Sequence, residues 1–247
     1  MKRQISCAIF LTALFTLFTS CTKSNKTIIR MQHIEEGVAN PQSIEDYQEA
    51  IKKYEERVAD IQLAQAQIGI WHKIVGSRYM DKKMYGEALK SFQAALEYYP
   101  DNQNLYYYVG LCASYMSHTA LDYDAVGRND KKAYYLNLAE ESYKRAIKID
   151  ERYTRALYAL AVLYEFEFTE QERTDEAIPL LETVVSIEKK NLDALTLLAR
   201  CYYRTYQFDK AVEVYDRIIE TTNVPARKQM AKDFKEQVLK TKAEFEE

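Results

Sequence analysis

Apolar residues fall at helical spacing along most of the chain. Ala88, Phe92 and Ala95 lie four and three apart, and Ala139, Tyr143 and Ala146 repeat the interval. Ala177 with Leu181, Ala211 with Tyr215, and Ala50 with Tyr54 keep its first half. Beyond Pro225, residues 226–247 alternate charge and set Met230, Phe234, Val238 and Leu239 on one face. Each segment reads as an amphipathic helix. Only 6 of the 247 residues are Gly and 4 are Pro, too few for an all-β chain of tight hairpins or for glycine-rich phosphate loops.

The helical segments form a series. Residues 69–102 contain Trp71-His72, Val75-Gly76, Tyr79, Ala88, Phe92, Ala95 and Pro100. This resembles the tetratricopeptide repeat (TPR) of about 34 residues, with His72 at the usual Trp position and Trp71 one place early. Further copies keep Val109-Gly110, Leu160-Ala161 with Tyr164, and Leu198-Ala199 with Tyr202. The markers Gly76, Gly110, Ala161 and Ala199 are 34, 51 and 38 residues apart, and each excess falls between the two helices of a repeat. Stacked arrays tolerate insertions there. The resemblance implies an all-α, right-handed α-solenoid of helix-turn-helix repeats. Repeats are expected at 69–102, 103–153 (with an insertion at 116–132), 154–191 and 192–225. N-terminal helices of a degenerate repeat are expected over 27–68, and a capping helix over 226–247.

The first twenty residues read as an address. Lys2 and Arg3 precede an apolar run from Ile5 to Phe18, then Thr19-Ser20-Cys21. The run is short for a membrane-spanning helix, which needs roughly 20 apolar residues. Leu17-Phe18-Thr19-Ser20-Cys21 resembles a bacterial lipoprotein lipobox, with Phe18 in place of the usual Leu. The resemblance implies a signal peptide at 1–20, lipidation of Cys21 and a polar tether at 21–26; the alternative is an ordinary secretory signal. The expected location is the bacterial cell envelope, at the periplasmic face of the outer membrane rather than the inner membrane.

Charge and motifs narrow the function. The formal charge of −3 gives no electrostatic reason to expect nucleic acid. His33, His72 and His118 fall in different segments, and no metal-binding, nucleophile-elbow or dinucleotide motif is present. Asp122-x-Asp124-x-Val126-Gly127 falls short of a calcium loop at Val126 and Ala133. Cys112 and Cys201 occupy small, buried places too far apart to be bridged. The expectation is a non-catalytic protein with no cofactor and no metal.

What remains is the face of each first helix turned away from the array. Offsets of −3, +1, +4 and +5 from the markers define one stripe: Lys73, Ser77, Met80, Asp81; Tyr107, Leu111, Ser114, Tyr115; Tyr158, Val162, Glu165, Phe166; and Thr196, Arg200, Tyr203, Arg204. In TPR proteins that stripe lines the concave groove. The candidate partner-binding residues are Tyr107, Tyr115, Arg155, Tyr158, Phe166, Arg200, Tyr203 and Arg204, since exposed aromatic and Arg side chains dominate binding hot spots. On helical spacing, Arg155 belongs beside Tyr158 and Arg200 beside Tyr203. The insertion or the N-terminal segment folding into the groove would cover these residues instead. The function expected is a membrane-tethered scaffold for a protein or peptide segment in the envelope, serving envelope assembly. The rival is a docking subunit for a periplasmic solute-binding protein in solute uptake.

Overall fold

The computed structural model describes residues 42–119, 130–168 and 173–246. Among them every regular element is a helix: α1 (Ile44–Asp81), α2 (Tyr85–Leu96), α3 (Gln103–Thr119), α4 (Asp130–Ile149), α5 (Thr154–Phe166), α6 (Thr174–Ile187), α7 (Leu192–Arg204), α8 (Phe208–Thr221) and α9 (Pro225–Glu246). The chain divides into two compact units, residues 1–65 and 66–247. Cys21 and the whole leader lie outside the described residues, as do Asp122, Asp124, Val126 and Gly127.

The N-terminal part of α1 is the described helix of the first unit. It opens on a reciprocal cap. The Asp46 amide donates to Ser43 Oγ, and the Ser43 amide donates to the Asp46 carboxylate, both at 3.1 Å. From there α1 continues for 38 residues, so no turn separates 27–68 from 69–102. The physical reason lies in the sequence around that boundary. It holds no Pro and no cluster of turn residues, and its single Gly69 is spent on a close contact with Tyr98 and Tyr99.

In the second unit the remaining helices pack in pairs: the end of α1 with α2, then α3 with α4, α5 with α6, and α7 with α8. Successive first helices also meet, α3 with α5 and α5 with α7, which is how a solenoid stacks. The marker glycines explain the closeness of the first two pairs. A Cβ built on Gly76 falls 2.8 Å from the Phe92 ring, and one on Gly110 falls 2.6 Å from the Tyr143 ring. Carbon atoms prefer about 3.5–4.0 Å, so only glycine lets these aromatics seat. Phe92 and Tyr143 are accordingly among the largest fully buried side chains.

Two turns carry the same strain. Lys83, between α1 and α2, has φ 57°, and Tyr206, between α7 and α8, has φ 58°. Each stands seven residues after its marker, Gly76 or Ala199, so the turn geometry recurs while the sequence does not supply the glycine it favours. Between α3 and α4 part of the insertion is helical: Met116–Thr119 extend α3, and Asp130 begins α4. No helix among the described residues is long and apolar enough to cross a membrane.

The last helix only partly follows its pattern. Of its apolar face Val238 is buried, joined by Ala231, while Met230, Phe234 and Leu239 stay exposed. Phe234 stacks on Tyr215 of α8 with ring centroids 6.1 Å apart. The face is shared between the end of the array and an open cleft.

Candidate functional site

The first helices of the last three pairs, with α9 as a wall, border a line of connected clefts. One, of about 380 Å³, is lined by Tyr107, Leu111, Ser114 and Tyr115 of α3 and by Arg155, Tyr158 and Val162 of α5. The next, of about 420 Å³, shares Tyr158 and adds Phe166, Thr196, Arg200, Met230 and Phe234. The third, of about 440 Å³, keeps Thr196, Arg200, Met230 and Phe234 and ends on Tyr203, Arg204, Tyr215 and Val238. All eight candidate partner-binding residues line this groove. The first-repeat quartet, Lys73, Ser77, Met80 and Asp81, lines none of the three. Met80 instead packs its sulfur 3.2 Å from the Cys112 thiol.

Within the groove the side chains are partnered differently from the expected pairs. The Arg155 guanidinium lies 4.4 Å from the Tyr107 ring centroid and 5.5 Å from Tyr108, on the preceding first helix rather than on Tyr158. Arg200 turns away from Tyr203 and covers Phe166 at 4.8 Å. Tyr203 packs near Phe208, and its hydroxyl lies 3.3 Å from Thr241 Oγ1 on the capping helix. Tyr115 stacks on Tyr85 at 4.3 Å. Helical spacing brings residues three apart to the same face, but the long arginines find better partners on the preceding first helix.

Glu165 is the largest departure from the stripe. It is fully buried rather than groove-lining. Arg200 Nε donates to its Oε1 at 2.7 Å and Arg204 Nη1 donates to the same oxygen at 3.0 Å. Thr174 Oγ1 donates to Oε2 at 2.9 Å, and the buried Cys201 thiol stands 3.9 Å away. Burial in apolar surroundings is the first cause raising the Cys201 thiol to about 12, with the Glu165 charge second; burial alone raises Cys112 to about 12. Both thiols are free, as their spacing required. Two guanidinium groups thus share one carboxylate, so an excess of positive charge faces the third cleft, whose lining contains no acid. Arg200 is 52% exposed, and its side-chain orientation is set from below by the buried Glu165 carboxylate.

Sequence reasoning missed Tyr215, Met230, Phe234 and Gln237 as groove residues and missed the holding role of Glu165. The apolar period of α9 was visible. Which part of it a neighbouring helix covers depends on the packing of α9 on α8. Among the described residues no group of His, Cys, Asp and Glu is placed to hold a metal ion.

Comparison with known proteins agrees with this architecture. TPR family profiles match residues 75–102 and 168–232. A TPR repeat-containing protein of Borreliella burgdorferi is 23% identical over 226 residues, spanning 90% of this chain and 94% of its own length. Among solved structures, MamA superposes with a TM-score of 0.52 at 18% identity, over 73% of this chain and 95% of that one. TTC0263, a thermophilic TPR protein of Thermus thermophilus, gives 0.51 at 15% identity, over 79% and 92%. YrrB, described as a TPR protein with an unusual peptide-binding site, gives 0.50 at 19% identity, over 87% and 97%. These likenesses show a shared fold. With repeat profiles matching both ends of its second unit and two glycine-seated helix pairs between α1 and α4, the chain carries TPR repeats at 75–102 and 168–232.

Proposed function

We propose that the groove binds an extended protein segment bearing an acidic group beside a bulky apolar side chain, and that the protein acts as a non-catalytic scaffold. The observation that carries this reading is the pair Arg200 and Arg204, held by buried Glu165 at the foot of a cleft otherwise lined by Tyr203, Tyr215, Met230, Phe234 and Val238. A guanidinium already fixed by a carboxylate loses little rotamer freedom on binding, and the aromatic walls supply the apolar area that anchors use. The peptide-binding site named for the similarly folded YrrB supports a peptide as ligand. The lipobox-like Leu17–Cys21 supports a lipid tether on Cys21, and with it a place in the bacterial envelope on the periplasmic face of the outer membrane.

Capture from detergent-solubilised envelopes tests the groove, with wild type compared against Phe166→Ala and Arg204→Gln. Barrel or pilus components retained by wild type and lost by both variants support a role in envelope assembly. A periplasmic solute-binding protein lost in the same way supports the uptake role instead. A partner held equally by all three proteins moves the interface off the groove. The tether has its own test, because Cys21→Ala should leave the membrane fraction or accumulate unprocessed. Normal maturation and membrane association of that variant would end the lipoprotein reading.

A further inference from the structure

The first unit carries a surface that the groove does not use. Along α1, Ile44, Tyr47, Ile51, Tyr54, Val58 and Ile61 follow one another at intervals of three, four, three, four and three. All six are exposed, from 38% at Tyr54 to 72% at Ile44. An ordinary surface helix hides such a stripe, and a strict 3.5-residue period matches a second helix of the same period lying alongside it. We propose that this seam pairs with its copy in a second molecule, as a parallel two-stranded coiled coil over residues 44–65.

Three features of the sequence select that occupant. The seam alternates between two kinds of position. One holds β-branched Ile44, Ile51 and Val58, the residue type that parallel dimers place there, and ends at Gln65; the other holds Tyr47, Tyr54 and Ile61. In a parallel dimer Gln65 meets its own copy, so each amide gains a partner and the register is fixed. Charge is sorted to match. Glu45, Asp46, Glu49, Lys52, Lys53, Glu56 and Asp60 all stand away from the seam, and the flanks place Glu55 against Ala50 and Arg57 against Gln62 of the copy, so no like charges meet. The chain upstream offers a poorer cover. Its apolar residues Ile28, Ile29, Met31, Ile34 and Val38 span 11 residues, against 18 in the seam, and only Met31, Ile34 and Val38 keep the three-four rhythm, for a single heptad. The helix itself is long enough, since 22 residues rise about 33 Å, or three heptads. Parallel pairing also brings the two N-terminal segments to the same end.

The full chain purified in detergent tests the pairing by sedimentation equilibrium. The expected result is twice the chain mass for wild type and at least a 100-fold weaker association for the Ile51→Asp/Val58→Asp variant, with the thermal transition of the repeats unchanged. A photo-reactive benzoylphenylalanine at Tyr54 should give a covalent homodimer, and the same group at Glu56, on the charged side, should not. A monomeric wild type overturns the proposal. So does a dimer that survives both aspartates, or cross-linking equal at the two positions. Cross-linking from position 54 into residues 22–41 of the same chain would assign the seam to that segment instead.

Discussion

Arg200 of α7 reaches back across one repeat and sets its Nε 2.7 Å from Oε1 of Glu165 near the end of α5. The two ends of this bond differ in surroundings. The carboxylate is wholly buried, whereas the Arg200 side chain is 52% exposed and that of Arg204 34%.

That asymmetry predicts unequal losses. Arg200→Ala with Arg204→Ala strands a buried charge and should cost about 3–5 kcal/mol. Glu165→Gln frees two arginines that can turn to water, and keeps an acceptor for Thr174. It should cost less, about 1–2 kcal/mol. Urea unfolding monitored by far-ultraviolet circular dichroism measures both. Equal losses would mean that Glu165 is not acting as the buried anchor.

Gly110→Leu should destabilise by about 1–3 kcal/mol, because the added atoms enter the space of Tyr143, which is fully buried. Repeats lean on their neighbours, so the loss should appear as a lower midpoint of the whole transition. A melting temperature matching wild type would remove the close-packing account of this position.

Lys83→Gly should stabilise the protein. A left-handed residue with a Cβ carries about 1–2 kcal/mol of strain, and glycine returns about 0.5–1 kcal/mol of that in unfolded-chain entropy. The expected gain is about 0.5–1 kcal/mol. Tyr206→Gly should gain less or lose, since the Tyr206 ring stacks on Phe245 at 5.3 Å. Differential scanning calorimetry of the two variants, run side by side, checks the order.

Glu140 supplies a dependence on acidity. Arg173 grips it at 2.7 and 3.1 Å, and that bond is the main reason its carboxyl falls from 4.5 to about 2. A depressed folded value means that the contribution is complete above the ordinary value of 4.5 and disappears as pH falls through about 2. The melting temperatures of wild type and Glu140→Gln should therefore stand furthest apart above about pH 5 and converge toward about pH 2. A gap that stays constant over this range would contradict the assignment.

The helix pairs were legible because their determinants are single residues at fixed places. A missing Cβ at Gly76 or Gly110 is written directly in the sequence, and so is the aromatic that fills the space. The stripe on the first helices was legible for the same reason, and all eight candidates drawn from it or beside it reach one groove. Their pairings were not. Arg155 stands on Tyr107 and Arg200 on Glu165, 35 positions back, because the angle between stacked helices decides which long side chains meet, and helical spacing is silent about that angle. Glu165 looked solvent-facing by its offset, yet α7 passes over it. The helix runs on through residue 68 because a helix ends where something stops it, and nothing there does.

The Gly110–Tyr143 contact also limits how this chain changes over time. Neither member admits a larger replacement while the other stays as it is, so the two must exchange volume together, one shrinking as the other grows. Ala161 and Ala199 show that the marker position itself admits a methyl group in other repeats of the chain. A mutational library covering positions 110 and 143 jointly would map the ridge of viable pairs, and single enlargements at either place would fall off it.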